Sequence, residues 1–241
     1  MLNTKKRVIV FVAAAQCCGL AALAQQPSLI SNDPNPPSPD KVEAIQVLQK
    51  QTPIYVTEER GPWEKEVGGP LRDGAMELGL QGGYATSVRV GGTQHNYKFA
   101  FANPRFGYVF TDLIGDDVLG GIFKGNGEIV FEALLGTAYK GTGGESEGIA
   151  MMYKHNFITG TRFVPFVEMG LGLSQNNWHM YECQSHFEFI VQGGVGCQYF
   201  ITDDWALSVE ARIHHMSNAG MTSPNPGLND IMLTAGVSRF F

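Results

Sequence analysis

Apolar and polar residues alternate along the chain from residue 75 to its end, with a period of two. This period predicts half-buried β-strands, because successive side chains of a strand point to opposite faces. Residues that favour turns separate the alternating segments. Eight strands, the fourth of them short, are predicted near residues 76–81, 96–110, 129–136, 149–153, 163–172, 187–198, 205–214 and 233–241.

The second predicted strand carries aromatic residues at positions that change parity halfway along its length. A single apolar face requires constant parity, so the change predicts a β-bulge near Pro104. The aromatic residues lie at 97, 99 and 101 before this point and at 106, 108 and 110 after it.

The polar faces of the predicted strands combine glycine with charged residues. The opposite faces are too continuously apolar and aromatic for the narrow core of a soluble barrel. Small transmembrane barrels have this inverted arrangement, with lipid outside and an interior packed with polar side chains. We therefore predict an all-β fold, an eight-stranded antiparallel transmembrane β-barrel over residues 75–241, with an exported soluble barrel or sandwich as the alternative. The charged residues, interpreted as interior packing partly paired with the arginine, are Glu132, Glu168, Glu188, Glu210 and Arg212.

The first 24 residues have the features of a secretory signal peptide. A positively charged start, Lys5-Lys6-Arg7, precedes an apolar stretch, and Ala22-Leu23-Ala24 is a cleavage sequence of the A-x-A type. Cleavage is expected after Ala24. A lipoprotein signal modified at Cys17 or Cys18 is the weaker alternative, because the residues that precede these cysteines fit such a signal poorly.

Residues 25–74 are predicted to form a flexible, Pro-rich periplasmic leader outside the barrel. Residues 25–40 are rich in proline, serine and asparagine and cannot bury a core. A short helix is expected at 41–50, with Asp40 as its N-cap. The leader could plug the barrel or tether it to a periplasmic partner, and the sequence leaves both open.

Export also changes the charge and the cysteine content. The full chain has a net charge of −6, and removing the three positive charges of the signal leaves −9. Such an acidic protein is a poor binder of nucleic acid, because phosphates would repel it. Cys183 and Cys197 remain, near opposite ends of the sixth predicted strand. At about 3.3 Å per residue they lie roughly 45 Å apart, too far for a disulfide.

The seventh predicted strand ends in the segment HHMSNAG (214–220), which contains a histidine and a serine two residues apart. The apolar row of this strand runs through Ile213 and continues into His215 and Ser217, so both side chains are expected to face lipid. A histidine ring can span the distance of about 6.5–7 Å between such positions. The neighbouring His214 is expected to point inward.

The last strand places a third polar residue beside this pair. Its outward row, followed back from Phe241, reaches Asn229, whereas Asp230 falls on the inward row. Polar groups that face lipid are costly unless they have a function. We therefore consider Ser217, His215 and Asn229 as a candidate nucleophile, base and orienting residue. The tight turn at 202–204 is typical of the periplasmic side, which places this site near the outer leaflet.

The stretch RIHHMSNAGMTSPNPGLN (212–229), followed by a last strand that ends in an aromatic residue, resembles the catalytic hairpin of PagL-type lipid A 3-O-deacylases. The resemblance is specific over residues 205–241 and only architectural over 75–204. It implies an outer-membrane acyloxyacyl hydrolase that removes an ester-linked acyl chain from lipopolysaccharide and needs no metal or cofactor.

The resemblance also assigns residue roles. It implies Ser217 as the nucleophile, His215 as the general base, and Asn218 and Asn225 as polar residues that help to hold the oxyanion. We add Gly220 as a further candidate donor near the oxyanion or substrate. The family's third catalytic member is a glutamate, whereas Asn229 stands at that position here. An amide oxygen can orient the imidazole but cannot offer it a negative charge.

Alternative interpretations of the same residues remain. His215 and Ser217 could form a polar rim at the membrane interface. A zinc site built from His214, His215, His179 and His186 lacks the usual ligand spacing. The barrel as a whole could be non-catalytic, with a structural or adhesin role, and the sequence leaves open whether it forms a homodimer.

Overall fold

The computed structural model describes residues 69–116 and 118–241. The predicted signal peptide (1–24), the predicted helix (41–50) and the rest of the leader up to residue 68 lie outside the described residues. The described residues contain no helix that is long and apolar enough to cross a membrane.

Eight antiparallel strands form a closed barrel, in which consecutive strands pair and β1 also pairs with β8. We call the end that carries the connections after β1, β3, β5 and β7 the site end, and the opposite end the terminal end. A 3-10 helix, Val118–Gly121, lies between β2 and β3. The strands are β1 (Met76–Ser87), β2 (Lys98–Val109), β3 (Gly125–Lys140), β4 (Glu145–Phe157), β5 (Phe163–Asn176), β6 (Phe187–Phe200), β7 (Trp205–Ser217) and β8 (Leu228–Phe240).

The outward faces of the strands form a broad apolar surface. Ile149, Met169 and Leu171 lie near its middle and are each about two thirds exposed. Aromatic residues such as Tyr199 and Trp205 lie on the same surface near the terminal end. An apolar band with aromatic residues towards its edge is the outer surface of a transmembrane barrel. The predicted fold class, an eight-stranded antiparallel transmembrane barrel, is therefore confirmed.

The middle of the barrel interior is filled by buried ion pairs. Arg212 contacts Glu132 at 2.5 Å, Glu168 at 2.7 Å and Glu210 at 2.9 Å. Charges in a low-dielectric interior are tolerated only when they are paired and hydrogen-bonded, and this cluster meets that condition. The prediction that the interior glutamates pair partly with Arg212 is confirmed. Glu188 is also buried, but neither of its carboxylate oxygens has a hydrogen-bond partner among the described residues.

A second interior cluster surrounds Lys154, whose ammonium group contacts Glu77 at 2.8 Å and Glu128 at 3.1 Å. Arg105 belongs to the first cluster, where it contacts Glu168 at 2.6 Å and Glu132 at 3.5 Å. The interior charges thus form buried clusters that link several strands.

Strand β2 is continuous across Pro104, and the bulge predicted there is wrong. Buried and exposed residues alternate without interruption from Phe99 to Val109. The one register irregularity between β2 and β3 lies between Lys98 and Phe99.

The aromatic residues of β2 change face because the site end of the barrel has an aromatic interior. Tyr97, Phe99 and Phe101 are buried, and the Phe99 ring lies 4.9 Å from that of Trp178 in the β5–β6 connection. At the site end, where the barrel meets its loops, this aromatic cluster fills the interior in place of the ion pairs found in the middle. The aromatic residues nearer the terminal end point outward instead, and they include Phe106 and Tyr108.

Strand β4 is longer than predicted. It spans thirteen residues, and only its centre has the apolar alternation that marked it in the sequence. Glu145 and Glu147 lie on its outward row, whereas Lys154 and Asn156 lie on its inward row. Because both faces carry polar residues at the two ends of this strand, the sequence shows no apolar alternation there.

The residues just before β1 close the terminal end. Leu71 is completely buried in a cluster that includes Val109, Phe200 and Phe240. The packed unit therefore begins before residue 75, because the last part of the predicted leader lies against the barrel.

Cys183 and Cys197 are not joined to each other by a disulfide. Cys183 lies in the β5–β6 connection rather than within β6, and burial raises the pKa of its thiol.

Candidate active site

Ser217 and His215 are the last two outward residues of β7. Neither is fully buried, and Ser217 Oγ lies 3.2 Å from His215 Nε2. The two side chains meet because residues two apart on a strand share a face. The serine hydroxyl is therefore in hydrogen-bond contact with a ring nitrogen that could accept its proton.

Asn229 lies directly opposite His215 in the β7–β8 register. Its Oδ1 atom is 2.9 Å from His215 Nδ1. Since an amide oxygen can only accept, the Nδ1 atom must donate, and the lone pair of the neutral ring is left on Nε2, facing Ser217. The sequence had predicted this alignment of three side chains on the outward face.

The adjacent residues of both strands point the other way. His214 and Asp230 are buried in the barrel interior and contact each other at 3.0 Å. Asp230 is thus no part of the outward site. The zinc grouping considered for the histidines does not form either, because His214 and His215 lie on opposite faces.

The β7–β8 loop (218–227) is held by bonds among the remaining candidate residues. The backbone N–H of Asn218 donates to Asn225 Oδ1 at 3.1 Å, and that of Gly220 donates to Asn218 Oδ1 at 3.0 Å. Asn218 is fully buried, and its Nδ2 donates to Thr222 at 2.6 Å. The Nδ2 group of Asn225 makes no hydrogen bond within the described part of the chain, so this side-chain donor can bind another group.

Gly227 brings the end of this loop close to the histidine ring. It has a φ of +78°, a conformation that favours glycine, and a Cβ atom there would lie 2.8 Å from His215 Cε1. The loop therefore lies against the His215 ring, and it can do so only because this position lacks a side chain.

The β1–β2 loop (88–97) supplies contacts that the sequence did not predict. Asn229 Nδ2 donates to the Val90 carbonyl at 2.9 Å and to Thr93 Oγ1 at 3.1 Å. Neither Val90 nor Thr93 lies in an alternating segment, so the periodicity that revealed the strands gave no signal for them.

The β5–β6 connection holds this loop through Glu182, whose side chain is fully buried. Glu182 accepts hydrogen bonds from the backbone N–H groups of Gln94 and His95 and from the Tyr97 hydroxyl, at 2.6–3.0 Å. Burial alone would raise the pKa of this carboxyl, but the hydrogen bonds prevail and lower it to about 2. Burial beside the carboxylate raises the pKa of the Tyr97 hydroxyl.

Apolar side chains surround the site on the outer wall. Phe189 and Val191 of β6 lie opposite Ser217 and His215. Ile213, one position further along the outward row of β7, is two thirds exposed. The site thus combines a polar centre with an apolar wall, an arrangement suited to an amphipathic ester with long chains.

These features define a class of protein, a transmembrane barrel with a Ser–His–Asn arrangement on its outward surface at one end. The family model described as "Lipid A 3-O-deacylase (PagL)" matches residues 119–238, which include all three of these side chains. The chain belongs to this family, and it is an outer-membrane protein.

Solved structures of outer-membrane barrels are similar in fold. The chain is 18% identical to the outer membrane enzyme PagL, with a TM-score of 0.48, covering 66% of this chain and 97% of that one. It is 16% identical to Neisserial surface protein A, with a TM-score of 0.51, covering 70% and 100%. Of these two likenesses, only the one to Neisserial surface protein A supports a structural conclusion, and it shows the fold alone. A comparison with curated proteins found no match.

Proposed function

We propose that the protein is an esterase that hydrolyses the acyl chain at the 3-position of lipid A, with Ser217 as nucleophile and His215 as general base. The observation that carries this proposal is the hydrogen-bonded series Ser217–His215–Asn229 on the outward face of the barrel. A serine next to an oriented imidazole is the arrangement that activates a hydroxyl for acyl transfer.

The reaction proceeds in two halves. His215 Nε2 takes the proton of Ser217 Oγ as this oxygen bonds to the acyl carbonyl carbon. The bond from that carbon to the sugar oxygen then breaks, and His215 returns the proton to the sugar oxygen. Water, deprotonated by His215, attacks the acyl-serine, so that the fatty acid leaves and the serine is restored.

Asn229 acts as the orienting residue. Its carbonyl oxygen holds the Nδ1–H group and so keeps the lone pair of His215 on the atom that faces Ser217. Because the amide is neutral, it stabilises the protonated ring through its dipole only. The site relies on orientation more than on charge.

Asn225 is the donor best placed to stabilise the oxyanion. Its Oδ1 atom accepts a hydrogen bond from the backbone N–H of Asn218, the residue next to Ser217. Its Nδ2 group therefore also lies near Asn218. Asn218 and Gly220 fix the loop that carries it. A donor held in place before the reaction stabilises the developing negative charge without reorganisation.

The location of the site suits a lipid substrate. With both termini in the periplasm, the site end lies at the outer leaflet, where lipopolysaccharide resides. The acyl chains would lie along apolar side chains such as Val191 and Ile213, with the ester at the depth of Ser217. The substrate reaches the serine from the membrane and not through the charged interior.

Expression of the wild type and of Ser217→Ala, followed by mass spectrometry of lipid A, tests the proposal. The wild type should remove one hydroxyacyl mass, and fragmentation should assign the loss to the 3-position. Ser217→Ala should leave lipid A intact. Ser208→Ala is a matched control on the same strand, since Ser208 faces the interior and its hydroxyl has no partner among the described residues.

Equal lipid A spectra from wild type and Ser217→Ala, with both barrels folded, would overturn the esterase proposal and favour a non-catalytic barrel. Loss of a chain from another position would retain the mechanism and overturn the 3-position.

A further inference from the structure

The orientation of the Asn229 amide decides whether His215 can act as a base. If the amide were rotated by half a turn, its NH2 group would face Nδ1 and donate to it. The ring proton would then sit on Nε2, which could no longer accept the proton of Ser217. A neutral amide in this position therefore needs neighbours that select one of two orientations.

The β1–β2 loop provides these neighbours. The Val90 carbonyl can only accept a hydrogen bond, and it lies 2.9 Å from Asn229 Nδ2. Thr93 Oγ1 lies 3.1 Å from the same nitrogen. With two acceptors on this side, the amide nitrogen is directed to the loop and the amide oxygen to His215.

The Thr93 hydroxyl donates one hydrogen bond and accepts two in this arrangement. Its single proton is donated to the Gly227 carbonyl at 3.1 Å, and the oxygen accepts from both the backbone N–H and the side-chain amide of Asn229, at 2.8 and 3.1 Å. The side chain is only 4% exposed, so water cannot readily replace it. The Thr93 hydroxyl thus links Asn229 to Gly227, the glycine that lies against the His215 ring.

Thr93 is itself held from a third loop. The two residues that follow it, Gln94 and His95, donate their backbone N–H groups to the buried Glu182 carboxylate. On its other side, the backbone N–H of Val88 donates to the Asn229 carbonyl at 2.8 Å. The loop is therefore fixed to β8 at its Val88 end and to the β5–β6 connection at its His95 end.

We propose that Thr93 is a positioning residue, which holds the Asn229 amide in the orientation that makes His215 a base, and that Glu182 anchors the loop that carries it. This inference rests on the proposed function, because it assigns Thr93 a role in the same reaction. Thr93 acts through Asn229 and does not touch the reacting atoms.

Thr93→Val and Thr93→Ser test the proposal. Valine has nearly the shape of threonine but lacks the hydroxyl, whereas serine retains it. We expect Thr93→Val to lower kcat roughly tenfold, since small displacements of catalytic groups cost rate steeply, and to leave KM within about twofold. Thr93→Ser should retain wild-type kcat to within about twofold. A kcat for Thr93→Val equal to that of the wild type would overturn the proposal.

A double-mutant comparison separates positioning from general damage. If Thr93 acts through Asn229, adding Thr93→Val to Asn229→Ala should cause little further loss of kcat. An equal fold-loss in both backgrounds would overturn the proposal, because the hydroxyl would then act independently of the amide.

The histidine tautomer gives a readout that does not depend on activity. Nitrogen-15 NMR of the folded protein in detergent micelles should show His215 protonated on Nδ1 in the wild type. Thr93→Val should show an increased population protonated on Nε2, and an unchanged ring would overturn the proposal. This measurement remains informative if Ser217→Ala proves the esterase proposal wrong, so the two failures are distinguishable.

Discussion

Asn229 and Asp230 are neighbours in the chain, yet they serve opposite faces of the barrel wall. Asn229 faces outward and contacts His215 at 2.9 Å, whereas Asp230 faces inward and contacts His214 at 3.0 Å. Strands β7 and β8 thus carry two histidine-containing pairs: His215 with Asn229 on the outer face, and His214 with Asp230 on the inner face. Only the pair formed by His215 and Asn229 contacts Ser217.

Replacing these two residues should therefore have unequal effects on deacylation. Asn229→Ala removes the partner of His215 Nδ1, and we expect a fall in kcat on the order of 10²-fold, less than the loss of a charged orienting residue. Asp230→Ala should lower kcat only a few-fold. Both rates can be measured on purified protein in detergent with lipopolysaccharide as substrate. The reverse order would mean that the inward pair, and not the outward one, supports the reaction.

The inward and outward rows of β7 and β8 could be predicted because each residue type there fits only one environment. Glu210 and Arg212 cannot face lipid, so they fix the parity of β7 and with it the face of His215 and Ser217. The same logic failed in β2. Phe99 and Phe101 are acceptable both in lipid and in the aromatic interior at the site end, so their parity alone could not fix a face.

The loop contributions to the site could not be predicted for a different reason. Thr93 and Glu182 lie in connections without periodicity, and their roles depend on which loops meet above the barrel. Thr93 is 136 residues from Asn229 in the chain, and Glu182 is 88 residues from Gln94. A single sequence carries no signal for contacts of this kind, whereas local alternation is enough to define the strands.

The buried ion network should make Arg212 important for stability. Arg212→Met would remove one of the two arginines that pair with Glu132, Glu168 and Glu210, and would leave Arg105 to pair with all three. Removing one partner of a buried ion cluster costs about 3–5 kcal/mol. Urea unfolding in detergent micelles, followed by tryptophan fluorescence, measures this difference.

Arg239→Met is the matched control, because its pair with Asp204 at 3.1 Å is largely exposed and contributes little. An equal loss of stability in both variants would contradict the importance of the interior network.

The Glu182 anchor predicts a pH dependence of stability. The folded pKa of this carboxyl is about 2, below its ordinary value of 4.5, so its ionisation stabilises the folded state. This contribution is complete above about pH 4.5 and is lost as the pH falls towards 2. The wild type should therefore exceed Glu182→Gln in unfolding free energy at pH 7, by a margin that shrinks between pH 4.5 and 2. Urea titrations at several pH values test this, and a constant margin would show that the charge is not involved.

Gly227 should tolerate no side chain, because it backs the histidine ring. Gly227→Ala places a Cβ atom 2.8 Å from His215 Cε1, where an ordinary contact is 3.4–4 Å, so either the ring or the loop must shift. We expect kcat/KM for lipopolysaccharide to fall by roughly tenfold or more, since such a shift separates Nε2 from Ser217. Gly74→Ala is the matched control, with a φ of +85° and no atom within 4 Å of the added carbon. Both variants carry the same backbone strain of about 1 kcal/mol, so this strain cannot account for a difference in activity between them.

Equal losses of activity in Gly227→Ala and Gly74→Ala would show that backbone strain, and not contact with His215, is responsible.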